Sequence, residues 1–144
     1  MMSKSNVFEN DLLDLIFNGT AIPNLADNAA TSPLTELYVA LHTADPGESG
    51  DQSTSEAAYS GYARVAVARN GTGWVVSGNV VNPAANIDFP EWAGGSTSDI
   101  THFSIGVASS GATGILYKGA LASAITMGAG VTPGLSTGTS ITED

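Results

Sequence analysis

The sequence predicts a mainly β fold: a compact β-sandwich or open barrel, preceded by an N-terminal helix on an extended arm. Three observations carry this. After Pro33 the apolar residues recur with a period of two instead of a helical period. Gly, Pro, Asn or Ser then punctuates the chain at roughly 8–12-residue spacing, the rhythm of short strands and turns. Seventeen glycines and abundant Ser and Thr, with charged residues at only 12 %, suit a turn-rich β protein better than a helical bundle. The expected division is residues 1–33 as helical arm and linker and 34–144 as the β-sandwich-like domain.

Residues 6–18, NVFENDLLDLIFN, are the one segment of helical period. Asn6 is the expected N-cap, with Glu9 three residues on completing a capping-box pattern. Asp11 and Asp14 favour the early turns, and Gly19 is a natural stop. Phe8, Leu12, Leu15 and Ile16 share a face, widened by Leu13 and Phe17. Two readings of that face are open: packing on its own domain, or anchoring on a neighbouring subunit. Residues 20–33, TAIPNLADNAATSP, read as an extended linker holding the helix away from the sheets.

The strand-like segments follow. Residues 34–43 place Leu37, Val39 and Leu41 on one face and Tyr38, Ala40 and His42 on the other. Residues 62–69 alternate cleanly. Asn70-Gly71-Thr72-Gly73 leads into Trp74-Val75-Val76 and reads as a hairpin turn. Further short strands are expected at 79–81, 87–89, 101–107 and 115–121, and the Gly/Thr-rich end either adds an edge strand around 139–142 or stays loose. Gly111-Ala112-Thr113-Gly114 is the loop between two of them. It lacks the spacing of a phosphate cradle.

Composition narrows the function classes. Fourteen acids against four bases give a net charge of −10. Nucleic-acid affinity comes largely from Lys and Arg neutralising phosphates, so no direct nucleic-acid partner is expected. An anionic membrane surface is disfavoured for the same reason, and no apolar run approaches the roughly 20 residues that span a bilayer. Glu9, Asp11 and Asp14 interrupt the place of a signal-peptide core, so none is expected. The chain has no Cys, which removes disulfides and thiolate metal sites.

Candidate chemistry is sparse. His42 and His102 are the only histidines. Ser104 is close to His102 in sequence, but strand residues two apart share a face without meeting, and no G-x-S-x-G elbow surrounds Ser104. No catalytic residue is expected. The loop DPGESGDQSTSE (45–56) has three features of a calcium-binding EF-hand loop: Asp45 at position one, Gly50 at six and Glu56 at twelve. Gly47 occupies position three, where a ligand belongs, and the flanks are strands. A looser calcium site would draw on Asp45, Glu48, Asp51 and Glu56; otherwise the loop is a solvated acidic surface, and no cofactor is expected. Arg64 and Arg69 are rare cations suited to pairing with carboxylates. Trp74, Trp92, Tyr38, Tyr59 and Tyr62 could fill a core or present a stacking surface.

Several segments, in order, carry a resemblance. LYVALHTADPG (37–47), SEAAYSGYARVAVAR (55–69), IDFPEW (87–92) and HFSIGVASSGATGILYKGAL (102–121), with DLLDLIFNGTAIPNLADNA (11–29), together resemble the small virion proteins of tailed bacteriophages, a family of tail-fibre-like and capsid decoration proteins. The resemblance implies a non-enzymatic structural protein of the virion. Its first implied role is a decoration, or cement, protein on the outer surface of the head. That minor capsid protein would stabilise the shell as a homotrimer bound to the major capsid protein after assembly in the host cytoplasm. The alternatives are a tail-fibre or tail-surface attachment protein, or a carbohydrate-binding module for host attachment. Phe8, Leu12, Leu15 and Ile16 are the expected anchoring face.

Overall fold

The structure is a computed structural model and describes residues 4–29 and 32–143. It is mainly β, with antiparallel sheets and one short N-terminal helix, and none of its sheets closes into a barrel. The elements are helix α1 (Asn6–Leu13) and strands β1 (Glu36–His42), β2 (Val65–Ala68), β3 (Trp74–Ser77), β4 (Val80–Pro83), β5 (Ile87–Asp88), β6 (Ile100–Gly106), β7 (Ile115–Ile125), β8 (Gly134–Leu135) and β9 (Ile141–Thr142). They form a four-stranded sheet in the order β2-β1-β6-β7, a three-stranded sheet β3-β4-β9, and a two-stranded pair β5-β8.

The chain divides into two compact units. The first comprises Met1–Glu36, Ala68–Asn86 and Leu135–Asp144; the second comprises Leu37–Val67 and Ile87–Gly134.

In the first unit, α1 is capped by Ser5 and not by Asn6. Ser5 is extended, and its Oγ accepts the Phe8 N–H at 3.3 Å. A cap must stand outside the helical φ/ψ region, and that condition falls one residue earlier than expected. The helix continues as a wider π-helical turn, Asp14–Asn18, and stops at Gly19. Gly19 has φ +67°, the left-handed conformation that Gly adopts without penalty, and the Thr20 N–H returns to the Asp14 carbonyl at 3.0 Å. Leu13 and Phe17 are fully buried, and Phe17 meets the Trp74 ring edge-on at 4.9 Å.

The helix therefore lies against β3 and β4, contrary to the expectation that its linker would hold it off the sheets. The agent is Arg69. Its guanidinium donates to the Leu15 carbonyl at 2.5 Å and the Ile16 carbonyl at 2.6 Å, capping the helix end, and to Asn28 Oδ1 and the Leu34 carbonyl on the linker. Burial pulls its pKa below the ordinary arginine value. The linker is not featureless: Ile22 and Ala26 bridge across a tight turn in which Asn24 has φ +61°.

The expected hairpin at Asn70–Gly73 does not form. Its flanking strands enter different sheets, β2 beside β1 and β3 beside β4. Asn70 instead closes a local turn, its Oδ1 accepting the Thr72 N–H at 2.8 Å while its carbonyl accepts from Gly73 and Trp74. The hairpin is one connection later. Ser77 pairs with Val80 across Gly78-Asn79, and Gly78 has φ +62°, as a two-residue type II′ turn requires. The C-terminal edge strand is present as β9, paired antiparallel with β4.

In the second unit, β1, β6 and β7 run antiparallel, with Tyr38–His42 opposite Gly106–His102 and Ser104 opposite Lys118. Gly111–Gly114 lies in the connection from β6 to β7, as expected. Leu37, Val39, Leu41, Phe103 and Ile105 alternate along β1 and β6 onto one buried face. Only Val65–Ala68 of the expected strand 62–69 is in the sheet. β7 runs to Ile125, and β8 was not signalled by its two short residues, Gly134 and Leu135.

Candidate functional site

The opposite face of β1 and β6 carries Tyr38, Ala40 and His42 beside Gly106, Ser104 and His102. Alternation marks this as the polar side, which in many antiparallel sheets faces water. Here His42, Ser104 and Gln52 are completely buried, and Arg64 is 8 % exposed. The covering layer comes from the segment between β1 and β2, which includes the acidic loop.

Gln52 is its keystone. Its Nε2 donates to the Tyr38 carbonyl at 3.0 Å and to Ser104 Oγ at 3.3 Å, while its Oε1 accepts from Arg64 Nη1 at 3.3 Å and Thr113 Oγ1 at 3.2 Å. Its backbone N–H reaches the Thr113 carbonyl at 2.9 Å. Gly106 makes room for it, since a Cβ at that position would collide with the Gln52 amide.

His42 lies beside it. Its Nδ1 is 2.9 Å from the Thr54 carbonyl and its Nε2 is 2.8 Å from Ser104 Oγ. A carbonyl oxygen only accepts, so Nδ1 carries the proton, Nε2 is the acceptor, and the Ser104 hydroxyl donates to it. Burial lowers the His42 pKa, against the raising effects of the Thr54 carbonyl and Glu56, and the ring is held neutral. The partner of Ser104 is thus His42, across the strand pair, and not its sequence neighbour His102. His102 Nδ1 lies 2.8 Å from the Thr101 hydroxyl.

Arg64 ties the layer together. Nε and Nη2 form a fork onto Glu56, at 2.7 and 2.9 Å. Nη1 and Nη2 also reach the Ala108 carbonyl, Thr113 Oγ1 and the Gly111 carbonyl at 3.1, 3.1 and 2.7 Å. The Glu56 carboxylate raises the Arg64 pKa. Tyr62 donates to Glu56 at 3.0 Å and accepts the Leu41 N–H at 3.1 Å; burial drives its pKa far up.

The acidic loop is consequently less exposed than the sequence implied. Its four candidate calcium ligands do not converge. Asp45 and Glu48 share the Lys118 ammonium, at 3.1 and 3.0 Å, and together raise its pKa. The Asp45 carboxyl is lowered first by the Gly47 N–H and then by Lys118. Asp51 closes a turn onto the Ser53 hydroxyl and N–H, which lower its pKa. Glu56 is half-buried against Arg64. Among the described residues, no group of three His, Asp or Glu side chains is arranged to hold a metal ion.

The remaining sequence candidates separate. Phe8, Leu12, Leu15 and Ile16 are each half-buried, whereas Val7 on the same helix is 72 % exposed. The aromatics are drawn inward. Trp74 is buried against Phe17, while Tyr62 meets Tyr59 edge-on at 5.4 Å and stacks on Phe89 at 6.2 Å. Tyr59 donates to the Pro90 carbonyl at 2.8 Å, and Trp92 to the Ser96 carbonyl at 2.8 Å.

The inner members of this cluster, His42, Ser104 and Gln52, are closed off from solvent, and a shallow surface pocket lies against its outer members Glu56, Tyr62 and Arg64. Compared with known families, the sequence matches the podophage GP4 fiber I protein gp80 family over residues 3–142. The chain belongs to that family. Nearly the whole length is covered, so both units and the buried polar layer lie within what the gp80 family defines. Membership makes this a structural, fibre-like protein of a tailed-phage virion. No curated protein matches the chain.

Proposed function

We propose that this gp80-family chain is a globular, non-enzymatic structural subunit of the podophage fibre apparatus, and that it assembles with itself as a homotrimer. The observation that carries the reading is the family match over residues 3–142. The polar cluster supports a scaffold role: Ser104 and His42 are sealed from solvent, so no external substrate reaches them. The acids of the loop are engaged by Lys118, Ser53 and Arg64, and the reading assigns no metal or other cofactor to them. The half-buried Phe8, Leu12, Leu15 and Ile16, next to exposed Val7, give α1 and the π-helical turn after it an apolar surface for a neighbouring subunit.

A second reading is a decoration protein on the outer surface of the head, bound to the major capsid protein. It is favoured by one observation: the chain forms two compact units of short strands and has neither a heptad stretch nor an internal repeat from which a long shaft could be built. The net charge of −10 favours an exterior over a DNA-lined interior in either reading. A subunit that binds only the assembled particle stabilises it by mass action.

A density map of the whole particle tests both. Three copies grouped where a fibre joins the tail support the first reading. Density confined to the capsid surface, with particles lacking the protein losing DNA at lower temperature, replaces it with the second. A monomer in native mass spectrometry and in the particle removes the trimer.

A further inference from the structure

The Gln52–Ser104–His42 cluster places a nucleophile, a base, an amide and two carbonyl-oxygen donors in one sealed site. The Ser104 hydroxyl points its proton at His42 Nε2 at 2.8 Å, and the Thr54 carbonyl fixes the histidine tautomer from the other side at 2.9 Å. This is the relation of an activated serine to its base. Ser104 Oγ also lies 3.3 Å from the amide nitrogen of Gln52, and the amide carbon is the next atom along. The carbonyl oxygen of that amide receives Arg64 Nη1 at 3.3 Å and Thr113 Oγ1 at 3.2 Å. Donors so placed stabilise the negative charge that an oxygen gains during attack on its carbon, and a dry site strengthens them. Because Gly106 has no side chain, the amide can rest directly on the strand that carries Ser104.

We propose that Ser104 and Gln52 join in an intramolecular ester, formed by the folded chain itself. Ser104 Oγ attacks the Gln52 carbonyl carbon as its proton passes to His42 Nε2. Arg64 and Thr113 hold the oxyanion of the tetrahedral adduct. The adduct collapses by breaking the bond from carbon to nitrogen, and His42 returns the proton to the departing nitrogen. The products are one ester bond and one ammonia, with no oxidant, metal or second substrate. Burial has two effects. It keeps His42 neutral and able to accept a proton, and it keeps water from hydrolysing the ester, since Ser104, Gln52 and His42 are all completely buried. The bond ties the acidic segment to β6 of the same unit. It is a single event per chain without turnover, and it holds whichever position in the virion the protein takes.

The test is the intact mass of the purified full-length protein, kept folded at neutral pH. The expected mass is that of the sequence less one ammonia, with a branched peptide containing both Gln52 and Ser104 after digestion. Ser104→Ala and His42→Gln are each expected at the unmodified mass, and His102→Gln is expected to retain the cross-link. Wild-type protein at the full sequence mass after prolonged folded incubation overturns the proposal. So does an ammonia loss that maps to Asn18-Gly19 or Asn70-Gly71, pairs that can cyclise with the same change in mass. The wild-type measurement decides even if a variant does not fold.

Discussion

Arg64 gives the sharpest test of the buried layer. In Arg64→Ala, six hydrogen bonds disappear: two to Glu56 and one each to Gln52, Thr113 and the carbonyls of Ala108 and Gly111. The Arg64 side chain is 1 % exposed and that of Glu56 19 %, so the orphaned carboxylate cannot fully rehydrate where it stands. Removing one partner of a buried pair costs about 3–5 kcal/mol. Some relief comes because Glu56 can swing toward water, which places the expectation near the lower end, at about 3 kcal/mol. Against a total stability of about 5–15 kcal/mol, that is a large fraction. Equilibrium urea unfolding of both proteins measures it, with an unchanged slope confirming that the same surface is exposed. Arg64→Lys is expected to recover less than half, because an ammonium cannot reproduce the two-pronged contact. A loss below about 1 kcal/mol, the range of an exposed pair, would refute the argument that this layer is sealed.

Three further outcomes follow from the same geometry. The His42 pKa is lowered on folding, so below the unperturbed 6.5 the unfolded chain binds a proton that the folded chain refuses; stability falls with pH from there down to the folded value, by up to about 1.4 kcal/mol per pH unit, and urea titrations of wild type and His42→Gln between neutral and mildly acid pH should diverge over that window. Phe17→Ala is expected to cost about 3–5 kcal/mol by opening a cavity beside Trp74, read by denaturation and by a red shift of tryptophan emission in a Trp92→Phe background; an unshifted spectrum would show that the helix is dispensable to that core. Gly106→Ala is expected to cost about 1–3 kcal/mol by displacing the end of the Gln52 side chain, with faster proteolysis of the 43–56 segment; resistance equal to wild type would mean that the side chain does not rest there.

Local periodicity made much of the fold legible. The helix, β1, β6 and β7 each repeat an apolar residue at the spacing their own backbone imposes, and no other part of the chain is needed to read that. Partners are a different matter. Asn70-Gly71 carries a strong turn signal, but a turn does not reveal whether the strands leaving it pair with each other, and here β2 and β3 part into separate sheets. The polar cluster was hidden for a related reason. Alternation assigns His42 and Ser104 to the same side of neighbouring strands once the register is known, yet says nothing of what covers that side. Gln52, uncharged within an acidic run, was the available hint, and its weight depended on Gly106, more than fifty positions away. The capping residue moved by one because Ser5 and Asn6 are both good caps by type, and only backbone geometry separates them.

The path of the chain has a consequence for how the protein is made. Its backbone passes between the two units four times, at residues 36–37, 67–68, 86–87 and 134–135. The first unit takes its helix from before β1 and its last strand, β9, from after β8, with β4 waiting between them for that strand. A ribosome must therefore have made β9 before this unit can close. Phe17, Trp74 and β4 emerge together without the edge strand that completes the β3-β4-β9 sheet, and that stretch must be kept from aggregating until β9 follows. Termination before β9 removes one of the sheet's three strands, so such chains should be cleared instead of competing with intact subunits for places in the virion. Recombination faces the same constraint: no single cut separates one unit from the other, and the two units are expected to be exchanged together.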